Sequence, residues 1–151
     1  TDSIRVAVSK ISVLLSFCII WLVAGFRVNV GTDYKEYVNL FNYFNVLPLN
    51  SDVNIEKLYF YLNKLIGIFT DNPQYLFIIT CLIIYFFYYK VSIKECHYFE
   101  LAIFLFIAFG FYFSTLNILR QWIACALIFY SFTFVFKNQF LKFDHLCLKK
   151  Y

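Results

Sequence analysis

The chain lacks methionine entirely, and its 151 residues include only two prolines and four glycines. Charged residues make up 15% of it, against about 25% in soluble globular domains. Apolar residues make up 62% and aromatic residues 24%. This composition excludes an ordinary soluble domain, and the scarcity of proline and glycine excludes a disordered or collagen-like chain. The sequence therefore predicts an integral membrane protein.

Long apolar runs predict helices that cross a bilayer. Several runs approach the roughly 20 residues that a helix needs to span the hydrocarbon core, and no strand-like alternation occurs. Asn72 and Pro73 are suited to the N-cap and first position of one of these helices. The prediction is an all-α, polytopic transmembrane helical bundle with about four spans, at residues 6–26, 73–89, 98–116 and 121–136.

The segment 27–72 is too polar to be buried and too long to be a simple connector, so we expect it to carry function. Within it, residues 55–69 have polar side chains along one stripe and aromatic side chains opposite, which predicts an amphipathic helix. This helix either lies at the membrane interface or packs against the bundle. Because the chain begins at Thr1 and has no methionine, we expect residues 1–151 to form a single transmembrane domain, the N-terminal part of a longer protein. The polar stripe consists of Glu56, Lys57, Asn63 and Lys64.

The distribution of basic residues predicts the orientation, because lysine and arginine accumulate in cytoplasmic loops. Eight of the 13 basic residues fall on one side of the predicted bundle. The prediction is a multi-pass protein of the cytoplasmic (inner) membrane with a cytoplasmic N-terminus and an outer loop at 27–72. The net charge of +4 forms no clustered basic face, so no nucleic acid partner is expected. The eight residues are Arg5, Lys10, Lys90, Lys94, Lys137, Lys142, Lys149 and Lys150.

Two arginines are predicted to lie at the outer rim of the bundle. Arg27 follows the first span, and Arg120 lies in the turn between the last two. An arginine at a helix end is commonly an interfacial anchor, but two of them on the side that disfavours basic residues indicate another role. Because a guanidinium group binds phosphate oxygens two at a time, we expect both arginines to meet at an outer site for an anionic ligand.

The neighbours of each arginine have two interpretations. Gly31 permits a turn before a new helix, where Asp33 and Glu36 have the spacing of a capping box. Alternatively, Asp33 is a general base that accepts a proton from a sugar hydroxyl. Asn117 either caps the last span or, with Gln121, belongs to the arginine site.

Several familiar catalytic patterns are absent from the sequence. It has no D-x-D pair and no glycine-rich phosphate loop, which argues against a transferase that uses nucleotide-sugars. Its five cysteines form no CxxC pattern and are expected to be mainly small buried side chains. Cys96–His97 and His145-x-Cys147 lack the spacing of a metal site. Neither a metal nor another cofactor is expected.

Two motifs carry a resemblance to a known family. FRVNVGTDYKEY and LNILRQWIA, in this order between apolar runs, resemble motifs of the EpsG family of exopolysaccharide and capsule synthesis. The resemblance extends over about residues 11–137. The family patterns read R-x-x-x-G-x-D-Y-x-x-Y and N-x-x-R-Q-x-x-A, and the matching residues are Arg27, Gly31, Asp33, Tyr34 and Tyr37, followed by Asn117, Arg120, Gln121 and Ala124.

The resemblance implies a polysaccharide polymerase of the Wzy type. Such an enzyme is a metal-independent glycosyltransferase that joins polyprenyl-pyrophosphate-linked oligosaccharide repeat units at the outer face, for capsule, O-antigen or exopolysaccharide. Its partners are this lipid-linked substrate, membrane lipid and other polysaccharide-assembly proteins. Arg27, Asp33 and Arg120 are the candidate catalytic residues. The candidate substrate-binding residues are Gly31, Tyr34, Tyr37, Asn117 and Gln121.

Two other functions compete with polymerisation. A transporter or flippase for an anionic lipid-linked glycan also needs outward arginines and an aromatic cleft, although inverted repeats and broken helices would favour it. A non-catalytic membrane subunit is the third possibility. In the polymerase interpretation, the aromatic segment Tyr59, Phe60 and Tyr61 covers the lipid tail or sugar rings by stacking.

Overall fold

The computed structural model describes residues 2–51 and 55–147, with side chains described for 10–51 and 55–134. The described part contains seven α-helices and no strand, which confirms the all-α prediction. In chain order these are α1 (Asp2–Gly25), α2 (Tyr34–Val46), α3 (Lys57–Phe69), α4 (Gln74–Glu95), α5 (Phe99–Ala108), α6 (Phe111–Asn117) and α7 (Leu119–Cys147).

Helix α4 is the axis of the bundle and packs against both α1 and α7. It begins at Gln74 with Pro73 at the N-cap position, so the predicted N-cap at Asn72 is one residue too early. The Asn72 side-chain oxygen still accepts a hydrogen bond from the Gln74 backbone N–H at 2.9 Å. Helix α4 ends six residues beyond the predicted limit of the span. The reason is that Tyr89 and Val91 are still buried, and the Tyr89 hydroxyl donates to Ser16 Oγ of α1 at 3.2 Å.

The predicted span 98–116 is two helices. Helices α5 and α6 meet at an angle of 57°, at Gly110, whose φ of 78° lies in the left-handed region. A helix cannot continue through this conformation, and glycine adopts it without steric cost. The bend brings α6 against α4, where Thr115 Oγ1 and the Tyr85 hydroxyl lie 2.6 Å apart.

One described helix, α4, has the length and apolar composition of a membrane span. The bent pair α5–α6 provides a second if it is counted as one span. The apolar stretches of α1 and α7, Lys10–Gly25 and Leu119–Phe134, are shorter. The count of four spans and the orientation therefore stay predictions. Lys149 and Lys150, used to predict the orientation, lie outside the described residues.

The loop 27–72 contains two helices, α2 and α3, which pack against each other. Helix α3 also packs on α4, which agrees with one of the two alternatives for the amphipathic helix, packing against the bundle. The predicted polar stripe is wrong at Asn63, which is fully buried. Asn63 Nδ2 donates to the Tyr59 carbonyl oxygen at 2.7 Å, one helical turn earlier, whereas Asn63 Oδ1 has no hydrogen-bond partner among the described residues.

Gly25 provides a test of the contact between α1 and α4. A Cβ at this position would lie 3.2 Å from the Ile78 Cα, and backbone cannot rotate away. Trp21 Nε1 donates to the Ile78 carbonyl oxygen beside it, at 3.0 Å. We expect Gly25→Val to lower the free energy of unfolding by about 1–3 kcal/mol through overpacking, measured by thermal unfolding in detergent. Val23→Phe is the control, because Val23 is 61% exposed on the same helix. An equal loss of stability in both variants would show that the close approach of Gly25 to Ile78 is not the cause.

Candidate functional site

Arg27 lies inside the bundle and not at its rim. It is only 5% exposed, so the predicted outward position is wrong. Its guanidinium carbon lies 4.9 Å from the centroid of the Phe77 ring. The Nε, Nη1 and Nη2 atoms are all buried, and none has a hydrogen-bond partner within the described part of the chain. The group is therefore a buried cation held by a ring, with its donors unused.

The turn that follows α1 explains this inward position. Gln74 Nε2 donates to the carbonyl oxygens of Gly25 at 2.6 Å and Arg27 at 3.2 Å, which ties the end of α1 to the start of α4. Asn29 and Gly31 then adopt positive φ angles of 56° and 100°. The backbone at Arg27 is held against α4, so the side chain passes over Phe77 instead of extending to the surface.

The two sequence motifs meet in space, although 85 residues separate them. The Thr32 backbone N–H donates to Asn117 Oδ1 at 2.9 Å. A Cβ on Gly31 would lie 2.8 Å from the same Oδ1 and 2.9 Å from the Leu116 carbonyl oxygen, so only glycine fits there. Asn117 is the last residue of α6 and binds the turn around Gly31, so its predicted role as the cap of the last span is wrong.

Asp33 occupies the N-cap position of α2, but its side chain makes no capping hydrogen bond. The capping-box interpretation with Glu36 is therefore wrong. Asp33 Oδ1 instead accepts a hydrogen bond from Thr32 Oγ1 at 2.9 Å. The carboxylate is half-buried beside the turn that binds Asn117, and its role as a base stays a hypothesis.

Two tyrosines of the first motif surround Phe77. The Tyr34 ring stacks on Phe77 with centroids 4.6 Å apart, and its hydroxyl donates to Gln74 Oε1 at 3.4 Å. The Tyr37 ring meets Phe77 at 82°, with centroids 6.5 Å apart. Tyr37 is 3% exposed. Both tyrosines, predicted to bind substrate, thus also hold the ring over which Arg27 lies.

Arg120 lies in the first turn of α7. Its Nη1 atom is 3.2 Å from Glu56 Oε2, and its guanidinium carbon is 6.0 Å from the Tyr59 ring centroid. Burial raises the pKa of Tyr37, while the nearby Arg120 lowers it and Asp33 raises it slightly. The raised pKa means that the Tyr37 phenol stays protonated at neutral pH.

The two arginines lie at the same end of the bundle but do not share a contact. Arg27 touches Phe77 and Phe77 touches Tyr37, while Arg120 is near enough to lower the pKa of Tyr37. The expected meeting of the two guanidinium groups is thus replaced by a link through two rings.

A groove between α3 and α7 opens beside Arg120, with a volume of about 450 Å³. Gln121, a predicted substrate-binding residue, and Ala124 both line it. We call it the α3–α7 groove. Its other lining residues are Glu56, Leu58, Tyr59, Leu62, Arg120, Ile123, Leu127 and Ile128.

Sequence reasoning missed three residues that organise the site. Gln74 and Phe77 belong to an apolar helix, and nothing in their spacing marks them as neighbours of Arg27. Glu56 was placed only in a polar stripe. In the aromatic segment expected to stack on substrate, Phe60 is buried against Phe44.

No three His, Cys, Asp or Glu side chains cluster as metal ligands in the described part of the chain. The side chains of His145 and Cys147 lie outside it.

A comparison with protein-family models finds a match over residues 10–148, to the model described as the EpsG family. The chain belongs to the EpsG family. Its match includes both motifs and the whole of helices α2 to α6. Neither the curated proteins nor the solved structures contain a match to the chain. Membership makes this EpsG protein a membrane protein of polysaccharide biosynthesis.

Asn117 tests whether the two motifs depend on each other. We expect Asn117→Leu to lower the free energy of unfolding by about 0.5–1.5 kcal/mol, because the exposed Thr32 N–H exchanges its acceptor for water. Asn117→Asp keeps an acceptor oxygen in the same place and should retain most of the stability. The measurement is thermal unfolding in detergent. If both variants unfold at the same temperature as the original protein, the hydrogen bond does not hold the motifs together.

Proposed function

We propose that this EpsG protein is a polysaccharide polymerase. It joins polyprenyl-pyrophosphate-linked oligosaccharide repeat units at the outer face of the cytoplasmic membrane, for capsule, O-antigen or exopolysaccharide. The observation that carries the proposal is the buried Arg27 guanidinium, whose three nitrogens lack partners where the two family motifs meet. A buried cation without a counterion is costly, so such a group is typical of a site completed by an anion.

The reaction requires a leaving group to be stabilised. A hydroxyl oxygen of the acceptor unit attacks the anomeric carbon of the donor glycan and forms the new glycosidic bond. The bond between that carbon and the pyrophosphate oxygen breaks, and polyprenyl pyrophosphate leaves with the electron pair. The hydroxyl proton passes to a base. Negative charge therefore grows on the pyrophosphate as the bond breaks, and preorganised cations stabilise it.

Arg27 and Arg120 have the chemistry for this role. Each presents a planar fork of donors that stays charged at any working pH. Arg27 is held by the ring of Phe77, and Arg120 by Glu56, which is 65% exposed and free to leave. In this proposal a pyrophosphate binds both guanidinium groups. The protonated phenol of Tyr37 supplies a further hydrogen-bond donor to it.

Asp33 is the proposed general base. Its carboxylate is half-buried and held by the Thr32 hydroxyl next to the turn that carries Arg27. Gly31 and Asn117 act by shaping this turn. Tyr34 and Gln121 complete the proposed binding surface, the first through Phe77 and the second at the α3–α7 groove.

The proposal includes a multi-pass arrangement with a cytoplasmic N-terminus and the site outside. A lipid-linked donor reaches such a site from the outer leaflet. We also propose other polysaccharide-assembly proteins as partners. No metal ion is needed in this scheme.

The arginines provide the first functional test. Arg27→Lys and Arg120→Lys keep the charge and remove the fork. We expect each to lower polymer formation by about 100-fold, as loss of one transition-state donor does. Single repeat units should accumulate on lipid in the outer leaflet. The measurement is gel analysis of polymer length and of lipid-linked units in cells with the variant gene. Lys35→Gln, an exposed change on α2, is the control.

Two outcomes would contradict the proposal. Long polymer from both arginine variants, at normal amounts of inserted protein, would remove their catalytic role. Accumulation of single units in the inner leaflet would instead indicate the flippase alternative.

Asp33 is tested separately. We expect Asp33→Asn to keep the Thr32 hydrogen bond and the fold, because an amide oxygen still accepts. Polymer formation should fall by about 100-fold, since general base catalysis typically contributes 10²–10⁴-fold. The check is polymer yield together with thermal unfolding of the purified variant. Normal yield would show that Asp33 is not the base.

A further inference from the structure

We propose that the α3–α7 groove binds the isoprenoid tail of a polyprenyl-phosphate lipid, with its phosphate end at Arg120. This inference rests on the proposed function and adds to it the route by which the lipid enters. The lipid enters sideways, between α3 and α7, and not through the centre of the bundle.

The groove is polar at one end only. Arg120 and Gln121 lie in the first turn of α7, whereas Leu127 and Ile128 line the groove about 10 Å further along the same helix. On α3, Leu58 and Leu62 extend this apolar wall. A guanidinium at the head of an apolar channel is complementary to a lipid that has an anionic head and a hydrocarbon tail.

The polar end also has an unused donor. Tyr59 lines the groove and is 4% exposed, yet its hydroxyl has no hydrogen-bond partner within the described residues. Burial raises the pKa of Tyr59 far above its usual range, so the phenol stays protonated and available to donate. The Asn63 side chain, whose Oδ1 is also buried without a partner, is near enough to lower this pKa. A phosphate oxygen in the groove is a stronger acceptor for the phenol than this amide oxygen.

In the structure, the Glu56 carboxylate lies beside Arg120, where the proposal places the lipid phosphate. The two groups pair at 3.2 Å while the Glu56 side chain is 65% exposed. An exposed ion pair contributes little to stability. A phosphate with more charge and more oxygens displaces this carboxylate at small cost, and the ion pair thus marks the place where an anion binds.

A second cavity, of about 520 Å³, lies between α4, α5, α6 and α7. Its lining is apolar and aromatic and includes no charged residue. This cavity offers nothing to hold a phosphate. The presence of Arg120 and Tyr59 therefore favours the α3–α7 groove for a phosphate-headed lipid.

Photolabelling of the full chain tests the proposal without turnover. The probe is a polyprenyl diphosphate with a diazirine on an isoprene unit near the phosphate, added to protein in phosphatidylcholine nanodiscs. After irradiation, mass spectrometry locates the labelled peptides. We expect labels on α3 and, on α7, at Ile123, Ala124 or Leu127, which line the groove and not the second cavity. Unlabelled undecaprenyl phosphate should remove them, whereas the same amount of phosphatidylglycerol should not.

A matched pair of variants tests the groove itself. Leu127→Trp fills the groove, and Leu82→Trp makes the same change on α4 outside both cavities; each leucine is 37% exposed. We expect Leu127→Trp to weaken labelling at least about tenfold, equivalent to about 1.4 kcal/mol of binding. Leu82→Trp should leave it unchanged.

Labels confined to the second cavity, equal competition by phosphatidylglycerol, or equal loss in both tryptophan variants would overturn the inference. Failure here is distinguishable from failure of the polymerase proposal. Groove labelling with normal polymer from the arginine variants would keep the lipid site and reject the catalysis. Labels outside the α3–α7 groove, together with loss of polymer in the arginine variants, would reject the lipid site and keep the catalytic proposal.

Discussion

The buried guanidinium of Arg27 is the constraint on which the rest of the site depends. Removing a cation from water costs several kcal/mol unless charge and hydrogen bonds compensate for it. The ring of Phe77 returns part of this cost through a cation–π contact. None of the three nitrogens has a hydrogen-bond partner in the described part of the chain. The surrounding fold therefore has to hold the group in place over the ring.

The supports of Arg27 come from distant parts of the chain. Gln74 of α4 fixes the backbone on either side of the turn, and Tyr34 of α2 fixes both Phe77 and Gln74. Asn117 at the end of α6 closes the turn from the opposite direction. Each support is a polar or aromatic contact. Together these contacts direct the Arg27 side chain over the Phe77 ring. Preorganisation of this kind is what a site for developing charge needs.

The two EpsG motifs act as one unit because of a single close approach. The turn at Gly31 has no room for a Cβ against Asn117 and the Leu116 carbonyl. The hydrogen bond from Thr32 then joins the loop after α1 to the last residue before α7. Arg120 lies three residues further, so the same contact sets its position relative to Arg27. The 85 residues between Thr32 and Asn117 in the sequence do not by themselves indicate that the two motifs are in contact.

The sequence by itself determined the all-α class, the helical runs, the start of α4 to within one residue and the residues that carry charge in an otherwise apolar chain. These follow from local composition and periodicity, which act over one or two helical turns. Only the tertiary structure decided that Arg27 points inward, that Gly110 divides one apolar run into two helices, that Asn63 is buried and that Asn117 serves a turn 85 residues away. The reason is that burial and pairing of a polar group depend on which elements pack around it, and that information lies in contacts between distant segments.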